Sequence, residues 1–270
     1  MRIIFLLLLG YLSISINAQE IKFIGKAKQG GIIIGESKNA VSAILNDRKL
    51  QIDKNGVFVF GFDRDAKGTF NLRVTFENKK VNTFKYSIKK QRYDVQKLRV
   101  ANDFLNPPKK ILEQIEIQEQ MMKEARAKVG LVKDALFMNG FENPLDRIEI
   151  GATFGVQRIL NGKPSNMHNG LDFRADEGDS IRAITDGIVR IAGENFFYNG
   201  TFVLLDHGQG LTSVYLHMSK LLVKNGQMVK KGEVIGLVGS TGRATGPHLH
   251  LGVQWYKKRI DPTSLLELKF

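Results

Sequence analysis

The chain contains no cysteine, which excludes disulfide staples, thiolate metal ligands and a lipidated cysteine. Acidic residues are scarce beside basic ones: 27 Asp and Glu stand against 40 Lys and Arg, a formal net charge of +13 and a pI near 9.8. Such a balance favours anionic partners, whether nucleic acid, a membrane surface or an acidic cell-wall polymer. Long apolar runs are missing too. The first one, Ile3 to Leu9, is followed by Gly10, Tyr11, Ser13 and Ser15 and is too short to span a bilayer. There is no fixed-period repeat and no low-complexity tract. Histidine is rare, five in 270 residues, yet four of the five fall in three places between His168 and His250.

What is present begins with a leader. Arg2 supplies a short basic start, Ile3 to Leu9 an apolar stretch and Ala18 a small residue for a peptidase to cut after, so residues 1–18 read as a signal peptide. Ile16, at the minus-three position, is larger than the residue usually found there. Export without cysteine predicts a periplasmic or secreted protein with no stable membrane anchor after cleavage, and it argues against nucleic acid as the anionic partner.

Residues 19–100 show short segments rich in β-branched and aromatic residues: Ile32–Ile34, Val41–Leu45, Val57–Phe62, Phe70–Phe76 and Phe84–Ile88. Turn residues such as Lys54-Asn55-Gly56 and Asn78-Lys79 separate them, which predicts a small antiparallel sandwich of the immunoglobulin-like kind. Its end, residues 79–99, is basic and reads as a solvated face, with wall binding as the alternative. Asn106, Pro107 and Pro108 then predict a helix start. Ile111, Leu112, Ile115, Met121, Met122, Ala125 and Val129 predict a buried helical stripe to about Lys128, a brace or linker over residues 101–143. From Pro144 the pattern is glycine-rich and β again, with strands expected at Ile181–Ile184, Ile188–Ala192, Thr201–Leu205, Ser213–His217, Val234–Val238 and His248–Trp255. Domains are thus expected at 19–100, 101–143 and 144–270.

Four histidines and an aspartate carry the chemistry. In a strand His248 and His250 share a face; His168 sits in a loop, since Asn169-Gly170 opposes a helix, and leads into a strand containing Asp172. Two histidines and one carboxylate suit catalytic zinc with an open fourth position, and a further neutral imidazole could move a proton. His207 is expected to be structural. Tyr215 shares a strand face with His217 and is either packed in the core or placed behind the site. The stretch Gly239 to Gly246 lacks a Gly-Lys-Ser/Thr ending, so it is not a phosphate loop.

The segments His168-Asn-Gly-Leu-Asp172, Val214-Tyr-Leu-His217-Met-Ser and Gly239-Ser-Thr-Gly-Arg-Ala-Thr-Gly-Pro-His248-Leu-His250 resemble, in order, the three motifs of the M23 (lysostaphin or LytM-like) zinc endopeptidases, over about Pro144 to Pro262. The resemblance implies a LytM-type antiparallel β fold of the duplicated hybrid motif kind, zinc ligands at His168, Asp172 and His250, and His217 with His248 as the unliganded pair that activates water and stabilises the tetrahedral intermediate. Many members carry a glutamate where this chain has Gly252, and Leu160 to Asn166 resembles an inserted groove loop.

The function implied is an exported zinc-dependent endopeptidase that hydrolyses peptide cross-links of bacterial peptidoglycan, with a D-alanyl-diaminopimelate bond the target by analogy. The alternative is a non-catalytic LytM-like activator of another wall hydrolase, a class that typically loses zinc ligands; a third reading makes the 19–100 module a wall-binding adaptor.

Overall fold

The computed structural model describes residues 21–99 and 107–270; the expected signal peptide and the Asn106 cap lie outside the described residues. Alternation and turn chemistry build two antiparallel sheets in the first part. One orders β1 (Lys22–Gly25), β2 (Ile32–Glu36) and β5 (Val57–Gly61); the other orders β4 (Arg48–Lys49), β3 (Ala40–Leu45), β6 (Thr69–Phe76) and β7 (Val81–Ser87). Leu72, Val74 and Phe76 alternate inward along β6 and the sheets meet through edge-on ring pairs, Phe23 with Phe84 at 4.9 Å and Phe60 with Tyr86 at 5.6 Å. This is the expected sandwich. Every residue of β5 is buried, because its outer face meets the rest of the chain: Gly61 lies against Ile260 and Trp255.

A short sheet orders β10 (Lys163–Pro164), β9 (Gln157–Leu160) and β8 (Val95–Leu98), with β8 and β9 parallel and Val95 opposite Gln157. The basic stretch is therefore partly a structural strand. Leu160 to Asn166, expected as a loop, is mostly a tight hairpin: Leu160 pairs with Lys163, and the two turn residues between them, Asn161 and Gly162, both take positive φ, as the strand twist demands.

The main antiparallel sheet has nine strands among the described residues. Its path runs β11 (Gly170–Arg174), β18 (His248–Trp255), β15 (Leu211–Leu221), β14 (Gly200–Asp206), β13 (Gly187–Phe196) and β16 (Met228–Val229), with β12 (Ser180–Arg182), β17 (Val234–Val238) and β19 (Lys258–Ile260) alongside. Leu249 and Leu251 of β18 are wholly buried in the core, so the other face of β18 carries His248, His250 and Gly252. That face also packs α1 (Lys109–Ala127) through a small cluster of Ala125, Ile191, Phe196, Phe202 and Leu204. A second helix, α2 (Pro262–Leu266), starts on an Asp261 cap whose side chain accepts from the Thr263 N–H.

Helix α1 departs from expectation at two points. Pro108, with no side-chain cap bond, occupies the N-cap position. The apolar stripe is also only partly buried: Ile115 and Ala125 are covered, but Leu112 and Met121 are each 43% exposed, and Met122 lines an open groove of about 590 Å³ between α1 and the β13–β14 turn. One sheet cannot cover a stripe that wraps a 19-residue helix, because only the face that meets the sheet is shielded. Among the described residues no helix is long and apolar enough to cross a membrane.

Candidate metal centre

Strand pairing sets the centre. Asp172 on β11 lies directly opposite His250 on β18, and cross-strand partners share a face. Gly170 makes the approach possible, because a Cβ there would sit 2.6 Å from Nε2 of His250 and 2.4 Å from the Leu251 carbonyl. His168, just before β11, is 1% exposed and is held at three points. Its N–H donates to the Val156 carbonyl, its carbonyl accepts from the Gly155 N–H, and Nδ1 sits 2.8 Å from the Thr153 carbonyl. The Nδ1 proton is thus committed, and Nε2 presents a lone pair inward.

That Nε2 lies 2.9 Å from Oδ1 of Asp172 and 3.1 Å from Nδ1 of His250, and the last two atoms are 2.7 Å apart. Two imidazole nitrogens and a carboxylate oxygen, all electron-pair donors, converge on one point. A divalent cation satisfies such a set, and its chemistry fits zinc with an open coordination position. Burial would raise the Asp172 carboxyl, but the His168 and His250 rings set against it hold it well below the usual carboxylate range. Burial lowers His250.

His217 reaches this face by breaking its strand. The pairing of β15 with β14 slips by one residue between Thr201 and Val203, and His217 itself has φ of +67°, a left-handed conformation that costs about 1 kcal/mol or more for a non-glycine residue. Tyr215 and Met218 both enter the core as a result, and His217 turns toward His248, ring centroids 4.9 Å apart, and His250, 6.3 Å. The expected shared face of Tyr215 and His217 is therefore wrong: plain alternation fails where a bulge inserts an extra residue. Backbone carbonyls anchor both free imidazoles by Nδ1, Thr241 for His217 and Gly246 for His248, each at 2.8 Å. Their Nε2 atoms are left available. Burial, then the neighbouring His248, push His217 down to about 3, so its ring is neutral at pH 7.

His207 lies elsewhere, wholly buried, with Nδ1 2.8 Å from the Asp186 carbonyl and Nε2 2.8 Å from the Ser213 hydroxyl. Ser213 continues to Tyr215, whose hydroxyl accepts from the Ile184 N–H. Both side chains are core polar links. Gly252 faces Val214, whose Cγ1 would be 2.8 Å from an added Cβ, so a glutamate side chain here would displace Val214.

Two arginines escaped the sequence reading. Arg158 on β9 places Nη2 3.5 Å from Oδ2 of Asp172. Arg64, from the sandwich, donates twice to the Gly155 carbonyl, at 3.0 and 2.8 Å, and stacks on Tyr93 at 4.2 Å. It thereby grips the segment that holds His168. Single arginines 10 and 104 residues from His168 carry no periodic or motif signal.

With this geometry in place, the model of peptidase family M23 matches residues 166–262. The chain carries an M23 peptidase domain. Over 122 residues, 45% of this chain, it is 36% identical to the DD-carboxypeptidase/endopeptidase Mpg of Neisseria meningitidis, covering 28% of that protein. Over 83 residues, 31% of this chain, it is 48% identical to the peptidoglycan DD-endopeptidase ShyA of Vibrio cholerae, covering 19% of it. The chain thus spans a quarter or so of these relatives. A crystal structure of a peptidase M23 from Pseudomonas aeruginosa matches with a TM-score of 0.62 at 28% identity, over 89% of this chain and 95% of that one. The M23 domain and the leading sandwich therefore share a known arrangement.

Proposed function

We propose that this chain is an exported zinc-dependent endopeptidase that hydrolyses peptide cross-links of bacterial peptidoglycan. The observation that carries the reading is the convergence of three donor atoms beside two imidazoles whose Nε2 atoms are free. His168, Asp172 and His250 would hold zinc, which polarises the scissile carbonyl and acidifies the attacking water when bound. His217 and His248 act as the proton-carrying pair: one Nε2 takes the water proton, and the N–H so formed donates to the oxyanion and then passes that proton to the leaving amine. His217 is 7% exposed, which keeps competing water from its base. The relatives named as peptidoglycan DD-endopeptidases support the substrate class, and the net charge of +13 suits a polymer bearing carboxylates. An activator that has lost its ligands would lack this donor set. We also propose a mature chain of three parts, a sandwich at 19–100, a linker at 101–143 and the peptidase part at 144–270, in the periplasm or outside the cell.

The test incubates the purified mature protein with sacculi and identifies released muropeptides by mass spectrometry. Cleaved cross-links are expected from the wild type and none from His250→Ala; identical products from both, or none from zinc-loaded wild type, would remove the peptidase assignment.

A further inference from the structure

The two oxygens of Asp172 have different surroundings. Oδ1 lies 2.9 Å from Nε2 of His168 and 2.7 Å from Nδ1 of His250, inside the donor cluster. Oδ2 faces Nη2 of Arg158 at 3.5 Å, within ion-pair range. Among the described residues this carboxylate pairs with those two rings and that guanidinium and with no further cation. Both side chains are largely screened from water, 25% exposed for Arg158 and 14% for Asp172, so their attraction exceeds that of a surface pair.

The backbone fixes where this cation stands. β9 is the middle strand of its sheet, with Gln96 of β8 opposite Arg158 on one side, and on the other the Arg158 carbonyl accepts from the Ser165 N–H at 2.9 Å. Just upstream, the Val156 carbonyl accepts from the His168 N–H. The same stretch therefore orients one donor and delivers a positive charge to another. Arg158 lies outside residues 166–262, the span of the family match. A carboxylate can give a metal one oxygen or both. A cation already paired with Oδ2 competes with a metal for that oxygen and leaves Oδ1 as the donor, which preserves the coordination position that catalytic zinc keeps open.

We propose that Arg158 is a positioning residue that confines Asp172 to one-oxygen ligation through Oδ1 by holding Oδ2 away from the metal position. The inference rests on the reading of His168, Asp172 and His250 as metal ligands, and the arginine acts through Asp172.

Cobalt(II) in place of zinc reports the ligand count, because its visible absorption band weakens as ligands are added. The mature protein is compared with Arg158→Met, which keeps length but neither charge nor donor, and with Arg158→Lys, which keeps a charge. The wild type and Arg158→Met are each expected to bind about one cobalt. The band of Arg158→Met should fall by about half or more, as Oδ2 joins the site and the ligand number rises. Arg158→Lys should restore most of the band, since a contact made through one nitrogen needs a charge more than a fork. An unchanged band in Arg158→Met overturns the proposal, and so does loss of cobalt from that variant, which would make the arginine a support for the site as a whole. A lysine variant that matches Arg158→Met also overturns it. These three outcomes leave the metal reading standing; a wild type that takes up no cobalt would remove both.

Discussion

His217 is a non-glycine residue in the left-handed region at φ of +67°, inside a strand. The fold bears this because the bulge points the imidazole at His248 instead of into the core. Asparagine tolerates that backbone well, so His217→Asn should fold with near-wild-type thermal stability and keep its zinc. Muropeptide release should fall by about 10² to 10⁴, the usual weight of a positioned acid or base; loss of zinc in parallel would make His217 a ligand. His207 makes a different prediction. Burial pushes it from 6.5 down to about 4, so the fold favours the neutral ring. Its stabilising effect is complete above pH 6.5 and is lost as pH falls from 6.5 to about 4, on the order of 3 kcal/mol if nothing else relaxes. Denaturant titrations across that window should show the slope, and His207→Gln should flatten it. The motif histidines could be read from sequence because spacing two along a strand fixes a face. The bulge could not, since nothing in Val214-Tyr-Leu-His217 marks the slipped register.

At the scale of elements, the segment 151–156 is the support of the centre. It bonds His168 at Thr153, Gly155 and Val156, and Asp172 at Gly151 and Ala152, and Arg64 grips it from outside through Gly155. Arg64→Ala frees a buried carbonyl and loosens the ring orientation of His168. Zinc affinity should weaken about tenfold to a hundredfold, as when orienting partners of a ligand are removed, with Arg64→Lys recovering only part because one ammonium cannot form the two-pronged contact. Unchanged zinc affinity in Arg64→Ala would show that the segment is rigid without its clamp. Each long strand of both sheets is visible in the sequence as a β-branched or aromatic run. The parallel pairing of β8 with β9 is not, because residues about 60 positions apart meet there and neither strand, half exposed and rich in polar residues, has an apolar pattern. The stripe on α1 is only partly buried for a related reason: periodicity shows which face is apolar, not how much of it finds a partner.

Across the whole molecule, the sandwich is joined to the M23 domain by the β8–β9 ladder, by Arg64 and by the buried outer face of β5. One core cluster runs from Ile32 to Leu265. The two parts should therefore unfold in a single calorimetric transition, and two separated transitions would show that the shared core is not cooperative. The leader proposed at 1–18 predicts a mature protein whose first residue follows Ala18, which N-terminal sequencing of exported material reads directly. The central claim is that two neighbouring histidines on β18 do different work, one binding metal and one moving protons. Zinc content by atomic absorption, measured beside muropeptide release for the wild type, His250→Ala and His248→Ala, tests it most directly. We expect about one zinc in the wild type and in His248→Ala, with release lost in both variants and zinc lost only from His250→Ala. Equal loss of zinc from the two variants would contradict the division of labour.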